Sequence, residues 1–119
     1  MRKKIVVCDD DEAILDVVTD ILKDEGYEVH SFNDCSQIAQ IVKDFTPDLI
    51  ILDIWMPKVN VKDTVGALKA NASSKNIPVL LISALNEGET ISKELKVSGF
   101  IRKPFNVEDL ISVVKKKIR

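Results

Sequence analysis

This chain has few residues that could form disulfides or act as thiol or imidazole nucleophiles. Among its 119 residues, two are cysteine and one is histidine. Cys8 and Cys35 are too few for a disulfide framework, and their spacing does not fit a metal site. We therefore expect reduced thiols in a cytoplasmic protein. His30 falls in a predicted strand near the sheet edge, so we expect neither histidine nor cysteine to act in catalysis.

The sequence also lacks a long apolar run and a large net charge. No stretch approaches the length of a membrane span, and no N-terminal run is long enough for a signal peptide. The formal net charge of -2 argues against general affinity for nucleic acid or anionic membranes. Lysines cluster at 3–4 and 115–117, and a solvated start and a basic helix end explain them better than a binding patch.

Short apolar runs alternate along the chain with segments of helical periodicity, and apolar residues make up 45% of the sequence. The alternation predicts one α/β domain over 1–119, with a doubly wound parallel sheet covered on both faces. The predicted apolar stripe of the first helix includes Val17, and that of the last helix includes Val107 and follows a cap at Asn106. The fourth helix is the weakest, because only Ile91 and Leu95 mark its apolar face. The predicted strands occupy 5–8, 27–32, 48–52, 77–82 and 100–102, and the predicted helices occupy 14–22, 38–45, 61–72, 87–96 and 107–118.

Chemically active side chains end four of the five predicted strands. Asp9 and Asp10 follow the first strand, Asp53 the third, Ser83 the fourth and Lys103 the fifth. In open parallel sheets the site lies beyond the carboxyl ends of the strands. Each residue alone has a structural explanation, such as a helix cap or a surface lysine. Their convergence on one rim favours a functional site.

The charges at this rim suggest a metal and a reaction. Three carboxylates and one lysine leave a net charge of -2, and crowded carboxylates repel one another. A divalent cation would offset that charge, and oxygen ligands favour Mg2+ over Zn2+. Asp53 could then act as a carboxylate nucleophile that forms an acyl phosphate. Lys103 and Ser83 could contact the phosphoryl oxygens.

Four motifs together resemble the receiver domain of two-component response regulators, and the resemblance covers the whole chain. It implies a flavodoxin-like sheet of strand order 2-1-3-4-5 with five helices, and Mg2+ as cofactor. The motifs are Val-Cys-Asp-Asp-Asp-Glu at 7–12, Pro-Asp-Leu-Ile-Ile-Leu-Asp-Ile-Trp-Met-Pro at 47–57, Pro-Val-Leu-Leu-Ile-Ser-Ala at 78–84 and Gly-Phe-Ile-Arg-Lys-Pro-Phe at 99–105.

The resemblance implies a role for each residue at the rim. Asp53 matches the phosphoacceptor and Asp10 the direct metal ligand, while Asp9 matches the residue that holds a metal-bound water. The backbone carbonyl of Trp55 would be a further metal ligand. Ser83 and Lys103 would contact the phosphoryl group, and the bond between Lys103 and the next proline would be cis.

The resemblance also implies a conformational switch. Ser83 would move toward the phosphate and Phe100 would turn into the space it leaves; the alternative is that Phe100 is an ordinary core residue. The fourth helix, fifth strand and last helix would form the face that partners recognise. Lys96 stands where a helix-ending glycine is common, so it either adopts a left-handed conformation or extends the helix.

The implied function is a phosphorylation-dependent signalling switch that turns over no outside substrate. The phosphoryl donor would be a phosphohistidine of a sensor kinase or of a histidine phosphotransfer protein. The recipient of the signal would be a downstream protein or an output domain, with no direct contact to nucleic acid or membrane.

Three other functions fit parts of the pattern. A flavodoxin-like cofactor carrier would need a hydroxyl- and glycine-rich loop where this chain has aspartates. A haloacid-dehalogenase-type phosphatase would add lid features and hydroxyl groups to its Asp-x-Asp motif. A pseudo-receiver that only docks would not need the complete set of acidic residues, Ser83 and Lys103.

Overall fold

Five strands and five helices alternate along the chain. The computed structural model describes residues 2–54, 60–83 and 88–118. Within these residues, no helix has both the length and the apolar character needed to cross a membrane. The strands are β1 (Lys4–Cys8), β2 (Glu28–Phe32), β3 (Leu49–Asp53), β4 (Val79–Ser83) and β5 (Gly99–Arg102). The helices are α1 (Glu12–Asp24), α2 (Ile38–Phe45), α3 (Val61–Ala70), α4 (Gly88–Leu95) and α5 (Val107–Lys117).

The strands form one parallel sheet in the order β2-β1-β3-β4-β5, which confirms the expected topology. β3 and β4 are buried along their whole length, in keeping with their continuous apolar runs. β2 lies at an edge of the sheet, as its more polar sequence predicts. Because all strands point the same way, their carboxyl ends share one edge of the sheet.

Alternate residues of each strand face opposite sides of the sheet and form two separate cores. Val7 belongs to the core that α1 and α5 cover, and its neighbour Val6 belongs to the core that α2, α3 and α4 cover. Two helices therefore pack on one face and three on the other. This is the doubly wound arrangement that the alternation of patterns predicts.

Side-chain caps determine where three of the helices begin. The carboxylate of Asp11 accepts hydrogen bonds from two backbone N–H groups of α1, and Asn60 caps α3 in the same way. Asn106 caps α5 through the backbone N–H of Asp109, as its sequence predicts. Each such cap stabilises a helix by about 1 kcal/mol.

Two valines predicted to lie in buried helical stripes are exposed. Val17 on α1 is 48% exposed and Val107 on α5 is 52% exposed. α1 instead buries Leu15, which the predicted stripe omitted. Its buried face is narrow and Val17 lies outside it, whereas Val107 is the first residue of its helix. Both predictions were wrong because periodicity identifies an apolar face but not its rotation about the helix axis.

The helices α3 and α4 both end before the residue that the sequence predicts. α3 ends at Ala70 rather than at residue 72, because Asn71 is extended, with φ -97° and ψ 130°. α4 ends at Leu95, and Lys96 has a φ of 55°. Lys96 therefore adopts the left-handed conformation, and the alternative of a longer helix is wrong.

Candidate functional site

Backbone pairing carries the predicted site residues to one edge of the sheet. Asp53 ends β3 and Ser83 ends β4. The N–H of Asp9 donates to the carbonyl of Phe32 at 3.1 Å, which continues the pairing of β1 with β2. The N–H of Lys103 donates to the carbonyl of Ser83 at 2.7 Å. The four strand ends are thus held together by the same hydrogen bonds that build the sheet.

Three carboxylates converge at this edge, as predicted. One oxygen from each of Asp9, Asp10 and Asp53 lies within 4.8 Å of the other two. Asp9 is fully buried and Asp53 is 3% exposed, whereas Asp10 is exposed to solvent. The backbone N–H of Asp11 donates to Oδ1 of Asp9 at 2.9 Å and helps to orient that carboxylate. The cluster is therefore anchored in the protein on one side and open to solvent on the other.

Lys103 neutralises part of this charge. Its Nζ lies 3.3 Å from Oδ2 of Asp9 and 3.6 Å from Oδ1 of Asp53, and its side chain is 18% exposed. One cation against three carboxylates leaves an excess of negative charge in a partly buried site. An all-oxygen donor set with an exposed member fits Mg2+, which binds through few carboxylates and keeps several waters.

Ser83 lies at this edge, whereas Phe100 lies nearer the start of β5, paired with Leu81. Asp53 pairs with Ile82, so Ser83 stands one residue further along the neighbouring strand and is 1% exposed. Phe100 on β5 is half-buried and packs against the core that α2, α3 and α4 cover. Trp55, the expected source of a backbone ligand, lies outside the described residues.

The two thiols do not supply a competing nucleophile. Cys8 and Cys35 are both buried, and neither forms a disulfide. A hydrogen bond with Cys35, together with burial, raises the pKa of the Cys8 thiol. Cys8 therefore stays protonated, although it is the residue before Asp9, and it belongs to the core.

The single histidine lies away from the acidic cluster. His30 is on edge strand β2, where its Nε2 is 2.7 Å from a carboxylate oxygen of Glu28. Its ring also contacts that of Phe45, with centroids 4.3 Å apart. The hydrogen bond from His30 lowers the pKa of the Glu28 carboxyl. His30 thus lies at the sheet edge and contacts neighbouring residues there, as predicted.

An apolar cleft beside the cluster was not predicted. It has a volume of about 480 Å³ and is lined by Ile14, Val17, Lys103, Pro104 and Phe105. The Lys103–Pro104 bond in its wall is cis, as the resemblance implied. The sequence contained an indication of this cleft, because α1 has more apolar residues than fit on one buried face.

The chain matches the family described as response regulator receiver domain over residues 5–115. It belongs to that family. A curated relative, the DNA-binding response regulator MtrA of Mycolicibacterium smegmatis, is 28% identical over 121 residues. The match covers all of this chain and 52% of the relative, so the receiver domain spans about half the length of the curated relatives it matches.

Solved structures resemble this receiver domain closely. Chemotaxis protein CheY4 of Vibrio cholerae is 27% identical with a TM-score of 0.91, and the match covers 99% of this chain and 100% of that one. NtrX of Brucella abortus is 30% identical with a TM-score of 0.85. That match covers 98% of this chain and 26% of that one.

Family membership confirms the sequence-based identification of a two-component response regulator receiver domain and its flavodoxin-like fold. It rules out the flavodoxin-like cofactor carrier and the haloacid-dehalogenase-type phosphatase as families for this chain. The individual roles of Asp53, Ser83, Lys103 and Phe100 stay predictions.

Proposed function

We propose that this receiver domain is a phosphorylation-dependent switch that accepts a phosphoryl group on Asp53. The observation that carries the proposal is the position of Asp53 at the end of β3, inside an acidic cluster and 3.6 Å from Lys103. A carboxylate in this position can be reached from solvent through the exposed side of the cluster, where Asp10 lies.

The acidic cluster would hold Mg2+. The carboxylates of Asp9, Asp10 and Asp53 supply the oxygen donors, and the backbone carbonyl of Trp55 would add another. When bound, the ion offsets the negative charge that develops on the phosphoryl oxygens. The excess of carboxylate over ammonium charge in the cluster supports this assignment.

The reaction would be an in-line transfer to the carboxylate. An oxygen of Asp53 forms a bond to phosphorus while the bond from phosphorus to the imidazole nitrogen of the donor breaks. The electron pair of that bond leaves with the imidazole, and Asp53 becomes an acyl phosphate. Lys103 would pair with one phosphoryl oxygen, and the hydroxyl of Ser83 would donate to another.

Hydrolysis would reset the switch. Water attacks phosphorus, phosphate leaves, and the carboxylate of Asp53 is restored. The domain would therefore catalyse its own modification and its own reset but turn over no outside substrate. In this proposal the domain is a signalling protein rather than an enzyme that acts on metabolites.

The face formed by α4, β5 and α5 would transmit the signal. α4 contributes few apolar side chains to the core, and Ile91 and Leu95 are only partly buried against it. Phe100 on β5 is half-buried and could turn inward if Ser83 moved toward a phosphate. A weakly packed helix beside a movable aromatic ring suits a shift between two populations.

The partners follow from this chemistry. A sensor histidine kinase or a histidine phosphotransfer protein would supply the phosphoryl group, and a downstream protein or output domain would respond. The relative MtrA is described as DNA-binding. We assign no nucleic-acid or membrane contact to the receiver domain itself, whose net charge is -2.

Labelling with a small phosphodonor tests the proposal. The protein is incubated with acetyl phosphate and Mg2+, and its intact mass is measured. We expect a gain of one phosphoryl group that requires Mg2+ and disappears in Asp53→Ala. Asp20→Ala, which removes an exposed carboxylate of α1, should still be labelled. Absence of labelling, or equal labelling of Asp53→Ala, would contradict the proposal.

A further inference from the structure

A basic cavity lies at the edge of the sheet opposite the acidic cluster. It has a volume of about 420 Å³ and forms where α3, α4 and α5 end and β4 and β5 begin. No acidic residue is among the described residues that line it. Five lysines line it, namely Lys69, Lys75, Lys96, Lys116 and Lys117.

None of these five lysines has a carboxylate partner in the described part of the chain. Lys69 has other acceptors: its Nζ donates to the backbone carbonyls of Leu95 and Lys96 at the end of α4. Lysines elsewhere in the chain do form ion pairs. These paired lysines are Lys62, Lys93, Lys103 and Lys115. The described lysines outside the cavity that also lack an ion pair lie on separate elements, whereas five lysines without a carboxylate partner share this one cavity. Those outside lysines are Lys3, Lys4, Lys23 and Lys43.

The negative ends of the helix dipoles offset only part of the positive charge of these lysines. Each of the three helix ends carries about half a negative elementary charge, or about 1.5 in total. Lys69 already satisfies carbonyls at the end of α4. The other four ammonium groups exceed what remains, so the cavity has a net positive potential. An anion from solution would neutralise it.

The shape of the cavity favours a small anion. Its floor includes buried Ser74, Pro78 and Val79, and the exposed lysines surround it. Gly99 lies beside Lys117 at the rim, where a Cβ would be in van der Waals contact with Cε of Lys117 at 3.4 Å. The volume falls within the range of about 300–1,000 Å³ that is usual for small-molecule sites. A nucleic acid would instead require an extended basic surface.

We propose that this cavity, lined by Lys75, Lys96, Lys116 and Lys117, binds a small oligophosphate anion. Lysine is a point-charge ligand for phosphate, and several ammonium groups around one concave site match a chain of phosphoryl groups. The oligophosphate could be inorganic or part of a nucleotide. The site is separate from Asp53 and does not depend on the proposed phosphoacceptor role.

Calorimetric and NMR titrations in low salt with a chelator test the proposal. The probes are inorganic tripolyphosphate, ATP and adenosine. We expect saturable one-to-one binding of the two phosphate compounds, with amide shifts concentrated at 74–79 and 96–99. A higher affinity for ATP than for tripolyphosphate would identify the source as a nucleotide, and equal affinities would identify the oligophosphate group alone. Both results support the site.

Matched double variants separate this site from general attraction to lysine. Lys75→Gln with Lys117→Gln should weaken binding about tenfold or more, because charge-assisted hydrogen bonds are lost. Lys62→Gln with Lys93→Gln makes the same charge change on exposed, paired lysines and should leave binding unchanged. Asp53→Ala should also bind normally, so failure of the phosphoacceptor proposal would not affect this test.

Three results would overturn the inference. One is a titration that does not saturate, and another is an equal loss of affinity in the two double variants. The third is tighter binding of a DNA duplex than of tripolyphosphate that is lost in the Lys75 and Lys117 double variant. That result would make the lysines a nucleic-acid patch. Thermal unfolding of each variant checks that these exposed substitutions leave the fold intact.

Discussion

Lys103 donates a hydrogen bond to Asp9 over 3.3 Å, although 94 positions separate the two residues along the chain. The same ammonium group lies 3.6 Å from Asp53. One lysine is therefore shared by two buried carboxylates, and Asp10 adds a third negative charge. The lysine attracts the carboxylates while the carboxylates repel one another, all within a few ångströms. Single substitutions here should therefore change the free energy of unfolding measurably.

Removal of the exposed carboxylate should separate repulsion from metal binding. Without Mg2+, Asp10→Asn should increase the free energy of unfolding by about 1 kcal/mol, because one of three crowded negative charges is lost. Millimolar Mg2+ should stabilise the wild type by about 1–3 kcal/mol and the variant much less. Urea unfolding with and without Mg2+ measures both effects.

Asp20→Asn is the control for this substitution, since it removes an exposed carboxylate of α1 outside the cluster. It should keep the full stabilisation by Mg2+. If Asp10→Asn responded to Mg2+ as strongly as the wild type, Asp10 would not be a metal ligand.

Loss of the shared lysine should destabilise the fold. Lys103→Met keeps the aliphatic chain but leaves two buried carboxylates without their cation, which should cost about 2–5 kcal/mol. Mg2+ should restore part of that loss, because the ion can replace the missing charge. Lys93→Met, which breaks an exposed pair with Glu89, should cost less than about 1 kcal/mol. Similar losses in both variants would contradict a coupled buried cluster.

The hydroxyl of Ser83 should matter for transfer but not for the metal. Ser83→Ala should slow labelling by acetyl phosphate about tenfold to a hundredfold, as expected when one donor to the transferred group is lost. Its stabilisation by Mg2+ should stay that of the wild type. Ser98→Ala, near the opposite edge of the sheet, serves as the control and should be labelled normally. An unchanged rate in Ser83→Ala would remove Ser83 from the proposed site.

Hydrogen exchange should locate the conformational response. Addition of beryllium fluoride as a phosphate mimic should change amide exchange in α4 and β5, and leave α2 as an internal reference. Phe100→Leu keeps an apolar side chain but removes the ring, so the response in α4 should shrink. Exchange rates in α4, β5 and α5 that are equal with and without the mimic would rule out this face as the switch.

Much of the fold could be predicted because segments that are buried in the structure are apolar in sequence. β3 and β4 are buried throughout, and their sequences are continuously apolar. Caps such as Asn106 were also predictable, since the capping hydrogen bond joins residues close in sequence. Val17 and Val107 were misplaced, because the rotation of a helix against the sheet depends on contacts with distant residues.

The acidic cluster and the basic cavity differ in how well the sequence predicts them. The acidic cluster could be predicted, because all of its residues follow strands whose carboxyl ends must meet at one edge. The basic cavity could not, because its lysines come from α3, α5 and the segments before β4 and β5. Lys116 and Lys117 alone look like an ordinary basic helix end.

The amino-acid sequence by itself determined the elements, the parallel sheet and the set of residues at its carboxyl edge, since these follow from local patterns of burial and from strand direction. Only the tertiary structure decided that one lysine serves two carboxylates, and that five other lysines line a cavity. The physical reason is that electrostatic energy depends on separation in space, which spacing along the chain does not determine.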